Sequence, residues 1–225
     1  MPGFRAATSD ARAIQVADQV MQALGGRPAW DATRYLNWVF FGRRTHYWDK
    51  WTGDVRIEAD NKLVLMNVNT HKGRAWEDGV EVTEPDSLAK RMQNGFALWT
   101  NDMYWVFMPY KLKDSGVQLR YVGERAMQDG KPADVLELTF ADVGMTPENK
   151  YEVCVDKATH LVGEWSYYEK ASDPQPRFTM PWKDWRQCGQ ILLAADHGRG
   201  DPWKIAAYDQ LPRAVFESPE PVRLE

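Results

Sequence analysis

Cysteine and histidine are scarce in this chain, and the groupings that catalysis and metal binding require are missing. Cys154 and Cys188 are its two cysteines. A bridge between them is conceivable if their strands are neighbours; two unreactive buried thiols are the simpler reading. His46, His71, His160 and His197 are dispersed, each near a turn or a polar strand face. A metal site needs ligands at short, regular spacing, and no HExxH, CxxC or EF-hand pattern occurs. There is no GxSxG elbow. Gly25-Gly26 follows a helical segment, whereas a dinucleotide loop would precede one. No catalytic residue, metal or cofactor is therefore expected.

Charge of one sign is lacking too. The formal charge is -4, and no run of Lys or Arg exceeds two residues. A nucleic-acid footprint needs a basic stripe, so that class of partner is excluded. No stretch approaches the roughly 18 apolar residues of a membrane-spanning helix. The opening Met1-Pro2-Gly3-Phe4-Arg5 has no apolar core of a secretion signal. If the protein works outside the cytoplasm, its export signal or lipid anchor is expected to have been removed ahead of Met1.

What is present is alternation and aromatic bulk. Eleven tryptophans are a high count for 225 residues. Core and interface packing is their ordinary use, and a broad aromatic-lined cavity is the other. From Tyr35 the apolar pattern has a period of two, the mark of strands with one buried face. Leu36, Trp38 and Phe40 share a face. Leu138 and Phe140 share one later, as do Tyr151, Val153 and Val155, and then Leu161, Trp165 and Tyr167. Turn dipeptides such as Asp78-Gly79 separate short runs, so the strands are expected to connect locally.

Helices are few. Ser9 or Asp10 caps an amphipathic segment, Ala11–Leu24, with Ile14, Ala17, Val20, Met21 and Leu24 on its sticky side. Pro28-Ala29-Trp30-Asp31 suits a short helical turn. Glu84–Asn94 has helical spacing at Leu88, Met92 and Phe96, with Gly95 as a stop. The aromatic run after it, Phe96–Pro109, is expected to be a short helix that continues into a strand through Met103–Met108. The fold class expected is mainly β (α+β). A strongly curved antiparallel sheet, or incomplete β-barrel, would have an N-terminal helix and short helices over its concave face. One domain should span residues 1–225, with loose tails at about 1–9 and 217–225.

Several short motifs carry a family resemblance. They are a helix ending in Leu24-Gly25-Gly26 and then Trp30, the strand pair around Trp38, Phe40 and Tyr47-Trp48-Asp49, and Val55-Arg56. Later come Asn101-Asp102, Tyr104-Trp105, Pro109 with Leu112 and Asp114, and Asp142-Val143-Gly144. Tyr151, Val155-Asp156 and Thr159-His160-Leu161 complete the set. Across roughly Ala11–Phe216 the chain resembles an uncharacterised branch of the bacterial LolA/LolB-like superfamily of outer-membrane lipoprotein carriers. The resemblance implies a place in the periplasm or at the cell envelope, and a hydrophobic ligand under helical lids. It implies no defined activity, and assigns to no particular arginine here the lid-holding role one plays in such carriers.

Pattern and resemblance together lead to a non-catalytic protein that binds a lipid, a lipoprotein acyl chain or another apolar ligand in a half-barrel cavity. The expected lining residues are Leu36, Trp38, Phe40, Trp105, Phe107, Leu138, Phe140, Val153, Trp165 and Tyr167. The alternative from another class is an interaction or envelope sensor domain that docks a protein partner. An enzyme on the same scaffold would need polar groups converging inside the cavity.

Overall fold

The computed structural model describes residues 3–141, 146–198, 200 and 203–224. Asp142-Val143-Gly144 of the resemblance lies outside them.

The period-two segments fold as antiparallel strands. β1 (Tyr35–Phe40), β2 (Arg44–Asp49), β3 (Asp54–Ala59), β4 (Lys62–Asn67), β5 (Lys72–Glu77) and β6 (Val80–Glu81) follow one another as hairpins. Asp78 and Gly79 both take positive φ, 53° and 76°, the type I′ geometry that matches strand twist. β14 (Ile205–Tyr208) returns from far along the chain and pairs with β1, Tyr35 opposite Tyr208, to complete a seven-stranded sheet. A second sheet holds β7 (Val117–Ala126), β8 (Pro132–Phe140), β9 (Lys150–Asp156), β10 (Val162–Tyr168) and β11 (Phe178–Pro181) in sequential order. β12 (Lys183–Cys188) and β13 (Ile191–Asp196) form a separate ribbon. The sheets are open and do not close into a barrel, so the mainly β, helix-covered class expected from the sequence is the one observed.

Helices α1 (Ala11–Ala23), α2 (Gly26–Ala32) and α3 (Pro85–Phe107) share one hydrophobic core with both sheets, and α4 (Ala214–Glu217) lies near the chain's end. In α1 the buried stripe is Ala13, Val16, Ala17 and Val20, while Ile14 and Met21 are half-buried. The helix is thus rotated by about one residue from its expected face. Gly25 is left-handed, and a Cβ there would come within 2.3 Å of the Gln190 carbonyl, so only glycine permits this approach to the ribbon.

The largest departure is α3. Its first turn is built as the sequence suggests: Pro85 opens it, and the Glu84 carboxylate accepts from the backbone N–H of Asp86 and Ser87. It then runs through Gly95 for 23 residues, and the expected strand at Met103–Met108 is helix up to Phe107. Gly95 serves packing. A Cβ there would sit 3.0 Å from both Val64 Cγ1 and Met66 Sδ, so its absence lets the helix lie close on β4. Helical spacing separates Trp105 from Phe107: Phe107 is fully buried and Trp105 half-buried.

Smaller differences have local causes. β7 is one strand with a bulge between Tyr121 and Gly123. A bulge between Val162 and Glu164 shifts the parity of β10, so Val162 joins Trp165 in the core and Leu161 does not reach full burial. β12 and β13 are separated by a turn in which Gly189 takes φ 62°. Neither tail is loose in its described part. Arg5 donates to the Val117 carbonyl, and Gly116 to that of Gly3. Near the other end, buried Arg56 donates to the carbonyls of Ser218 at 2.7 Å and Glu220 at 2.9 Å. Unpaired backbone groups on each tail are satisfied by docking.

Candidate functional site

The site is built around α3, which lies between the two sheets. On one side Trp99 meets Trp48 of β2, ring centroids 5.3 Å apart, and Phe107 meets Trp38 of β1 edge-on at 5.2 Å. On the other side Tyr104 faces Tyr151 of β9 at 5.6 Å, and Trp105 faces Trp165 of β10 at 4.9 Å. Aromatic pairs at these spacings add to the stabilisation from buried area.

One polar cluster pins the helix. Asp102 is fully buried and accepts from Arg44 Nε at 2.6 Å and Nη2 at 2.8 Å, both from β2. Its Oδ2 also lies 2.8 Å from His46 Nε2, and its Oδ1 accepts from Asn101 Nδ2 at 2.9 Å. The His46 ring stacks on Trp38, with centroids 4.6 Å apart. Burial lowers the pKa of His46, overcoming the pull of Asp102, so the ring is neutral. Nε2 then carries the hydrogen donated to the carboxylate, and Nδ1 faces no partner. Burial would raise the Asp102 carboxyl, but hydrogen bonds from His46 and Arg44 outweigh it and hold the group ionised. An acid alone in the aromatic run Phe96–Pro109 was the sequence signal for this cluster. Its partners lie too far away along the chain for spacing to identify them.

Two cavities flank the helix. The larger, about 470 Å³, lies toward the second sheet and is bounded by Met103, Tyr104 and Trp105 of α3 with Val117, Phe140 and Tyr151. The smaller, about 410 Å³, lies toward the first sheet over Ile57, Val64 and Trp76, with Leu98 and Gly95 as its helical wall. Ala97 and Asn101 border both. These volumes fall in the range of small-ligand pockets. Lys62 and Arg91 stand on the smaller cavity and both pair with Glu77.

Of the expected lining residues, Trp105 and Phe140 border the larger cavity. Leu36, Trp38, Phe40, Phe107, Leu138, Val153 and Trp165 are buried in the shared core, and Tyr167 packs on it half-buried. Strand parity identifies an inward face; whether that face meets a helix or open space depends on where α3 lies. The lining residues that sequence reading missed include Ala97, Met103 and Tyr104 of α3 and, on the strands, Val117, Tyr151, Ile57, Val64 and Trp76.

Among the described residues no three His, Cys, Asp or Glu side chains gather as a metal site requires. His71 stacks on Phe96 at 4.2 Å, and His197 on Trp203 at 4.1 Å. Cys154 and Cys188 are free thiols. Burial pushes the Cys154 thiol up despite Arg125 Nη2, which donates to its sulfur. No helix among the described residues is long and apolar enough to cross a membrane.

No family model matches the chain, and no curated protein does. Among solved structures, a DUF1329 family protein from Desulfovibrio piger is 15% identical, with TM-score 0.49, over 92% of this chain and 97% of its own. A LolA superfamily protein from Nitrosomonas europaea is 8% identical, with TM-score 0.37, over 89% and 96%. The Pseudomonas aeruginosa MucA/MucB complex matches at 22% identity and TM-score 0.25, over 67% of this chain and 50% of the other.

Proposed function

We propose that this chain is a non-catalytic binding protein of the periplasm or cell envelope. It would hold a lipid, an acyl chain or a similar apolar ligand in the space around α3. One observation carries the reading: a helix laid between two open sheets leaves cavities of about 470 and 410 Å³, both bordered by Ala97 and Asn101. Their walls are chiefly aromatic and aliphatic, which favours ligands held by burial, at about 25 cal/mol per Å² of apolar area. The envelope location rests on the motif resemblance.

In this reading α3 is the cover. Arg44 and His46 reach it from β2 through Asp102. A ligand longer than either cavity would displace part of the helix, and this cluster is the contact it would strain. The test is native mass spectrometry and lipid extraction of the purified protein, followed by titration with a lipophilic dye. Co-purified lipid or a saturable dye site is expected. If neither is found, the reading fails, and a protein-docking role becomes the better account. The large exposed apolar side chains bearing on that role, Trp51, Val80, Val122 and Leu224, sit on four separate segments.

A further inference from the structure

The cavities on the two sides of α3 differ in the charge of their walls. Lys111 and Asp114 line the larger one and neutralise each other as an ion pair. The charged side chains lining the smaller one are Lys62 and Arg91, both cations. They share one carboxylate, Glu77: Lys62 Nζ lies 3.5 Å from Oε1, and Arg91 Nη2 donates to Oε2. Two cations on one carboxylate leave a positive charge over. Neither cation is shut away. Lys62 keeps 46% of its side-chain surface exposed and Arg91 30%, so a ligand in the cavity can reach both.

Strand register places these charges at the end of an apolar floor. Ala59, Lys62 and Glu77 stand opposite one another across β3, β4 and β5, and Ile57, Val64 and Ala75 do the same two positions further along each strand. Opposite residues share a face, as do residues two apart, so both rows face α3, where Val64 meets Gly95. Arg91, Asn94, Leu98 and Asn101 recur every three or four positions along the helix and line the other side. Asn101 Nδ2 donates to Asp102, and Asn94 is exposed. Other charges at this end of the sheet do not enter the cavity wall. Arg44, opposite Ala59, is satisfied by Asp102. Asp78 accepts from Asn61 Nδ2 at 2.7 Å, and Arg43 and Asp60 are exposed in turns. An apolar chain lying on Ile57, Val64 and Leu98 therefore ends beside two cations that lack one negative charge. A neutral ligand gains nothing from them, and a cationic one is repelled.

We propose that the smaller cavity binds an amphiphile with one anionic head group, a carboxylate or a phosphate, held by Lys62 and Arg91 with its chain along Ile57, Val64 and Leu98. This deepens the apolar-ligand reading and rests on it.

The test is displacement of a bound uncharged lipophilic dye from the full chain by laurate, dodecyl phosphate, methyl laurate and dodecyltrimethylammonium, each below its micellar concentration. In the native protein laurate or dodecyl phosphate should displace dye at about tenfold lower concentration than methyl laurate, the gain expected from hydrogen bonds to charged groups. The cationic probe should be the weakest, and high salt should narrow the gap. Lys62→Gln with Arg91→Gln should erase the gap. Glu77→Gln removes the carboxylate that competes for both cations and should widen it by about threefold, the size of a partly exposed ion pair. A wider gap is a result that a merely structural role for these residues would not produce. A preference for laurate points to a fatty-acid source, and one for dodecyl phosphate to a phospholipid source. Equal displacement by anions and ester overturns the proposal, as does a gap that survives the double variant or shrinks in Glu77→Gln. Loss of the gap in Lys111→Gln, with the double variant unaffected, would put the head in the larger cavity and overturns it too. Failure of every probe, methyl laurate included, overturns the underlying reading as well.

Discussion

Arg44 and Asp102 stand 58 positions apart in the chain and meet through two parallel hydrogen bonds, Nε to Oδ2 at 2.6 Å and Nη2 to Oδ1 at 2.8 Å. This bidentate pair joins a strand of the first sheet to the helix that covers it. Its geometry gives α3 a chemically specific attachment to β2, beside the Arg91–Glu77 pair that ties it to β5.

Asp102→Ala should therefore loosen the helix more than any single apolar contact would. It leaves a partly buried guanidinium and the buried His46 Nε2–H without their acceptor. A loss of about 3 kcal/mol is expected, the lower end for breaking a buried ion pair. Urea unfolding measures the loss, and hydrogen exchange should show faster opening along α3 than in β8 or β9.

Gly95 offers a second check, because helix propensity and packing oppose each other there. Gly to Ala within a helix ordinarily stabilises by about 1 kcal/mol. A Cβ at this position meets stiff Val64 Cγ1 and flexible Met66 Sδ, both at 3.0 Å. Gly95→Ala should gain nothing in thermal midpoint, and Gly95→Val should cost about 2 kcal/mol through overpacking. A full propensity gain for the alanine variant would show that the helix can lift off β4 without penalty.

Stability should fall on mild acidification. Burial lowers the pKa of His46, and it pushes His197 down to about 4 from an ordinary 6.5. Between the folded and unfolded values the unfolded chain binds more protons. The stabilisation is therefore complete above about pH 6.5 and is lost as the pH falls through the folded value. His197 alone should account for about 2 kcal/mol between pH 7 and pH 5. His197→Phe keeps an aromatic ring beside Trp203 and Trp182 and should flatten the dependence by that amount. Denaturant midpoints at the two pH values decide the matter.

Ala97 borders both cavities, so one substitution can address both. Ala97→Trp should weaken uptake of a lipophilic dye by about tenfold, a loss of ~1.4 kcal/mol of binding, with an unchanged circular dichroism spectrum. Undiminished uptake would place the dye elsewhere on the protein.

The contact between Arg56 and the chain's end can be tested by proteolysis. Arg56 is buried, and its guanidinium satisfies the carbonyls of Ser218 and Glu220. Arg56→Ala should release the segment after α4 to limited digestion and cost about 2 kcal/mol, because carbonyls lose a charged donor.

Much of this protein is determined by its sequence alone. A period of two in Leu36, Trp38 and Phe40 specifies an inward face, and all three side chains are buried. Asp78-Gly79 specifies its hairpin because both residues tolerate positive φ. Glu84 and Pro85 specify where α3 starts. These are local effects, set by sterics and hydrogen bonds within a few residues.

The tertiary structure decided the rest. Gly95 reads locally as a stop, and close packing on Val64 and Met66 makes it part of a continuous helix. Strand parity cannot tell a core wall from a cavity wall, so Trp38 and Phe140 looked alike; the position of α3 buries the first and leaves the second beside open space. The bond of Arg44 to Asp102 depends on a helix lying between two open sheets. Such contacts arise from chain segments distant in sequence, and no local periodicity records them.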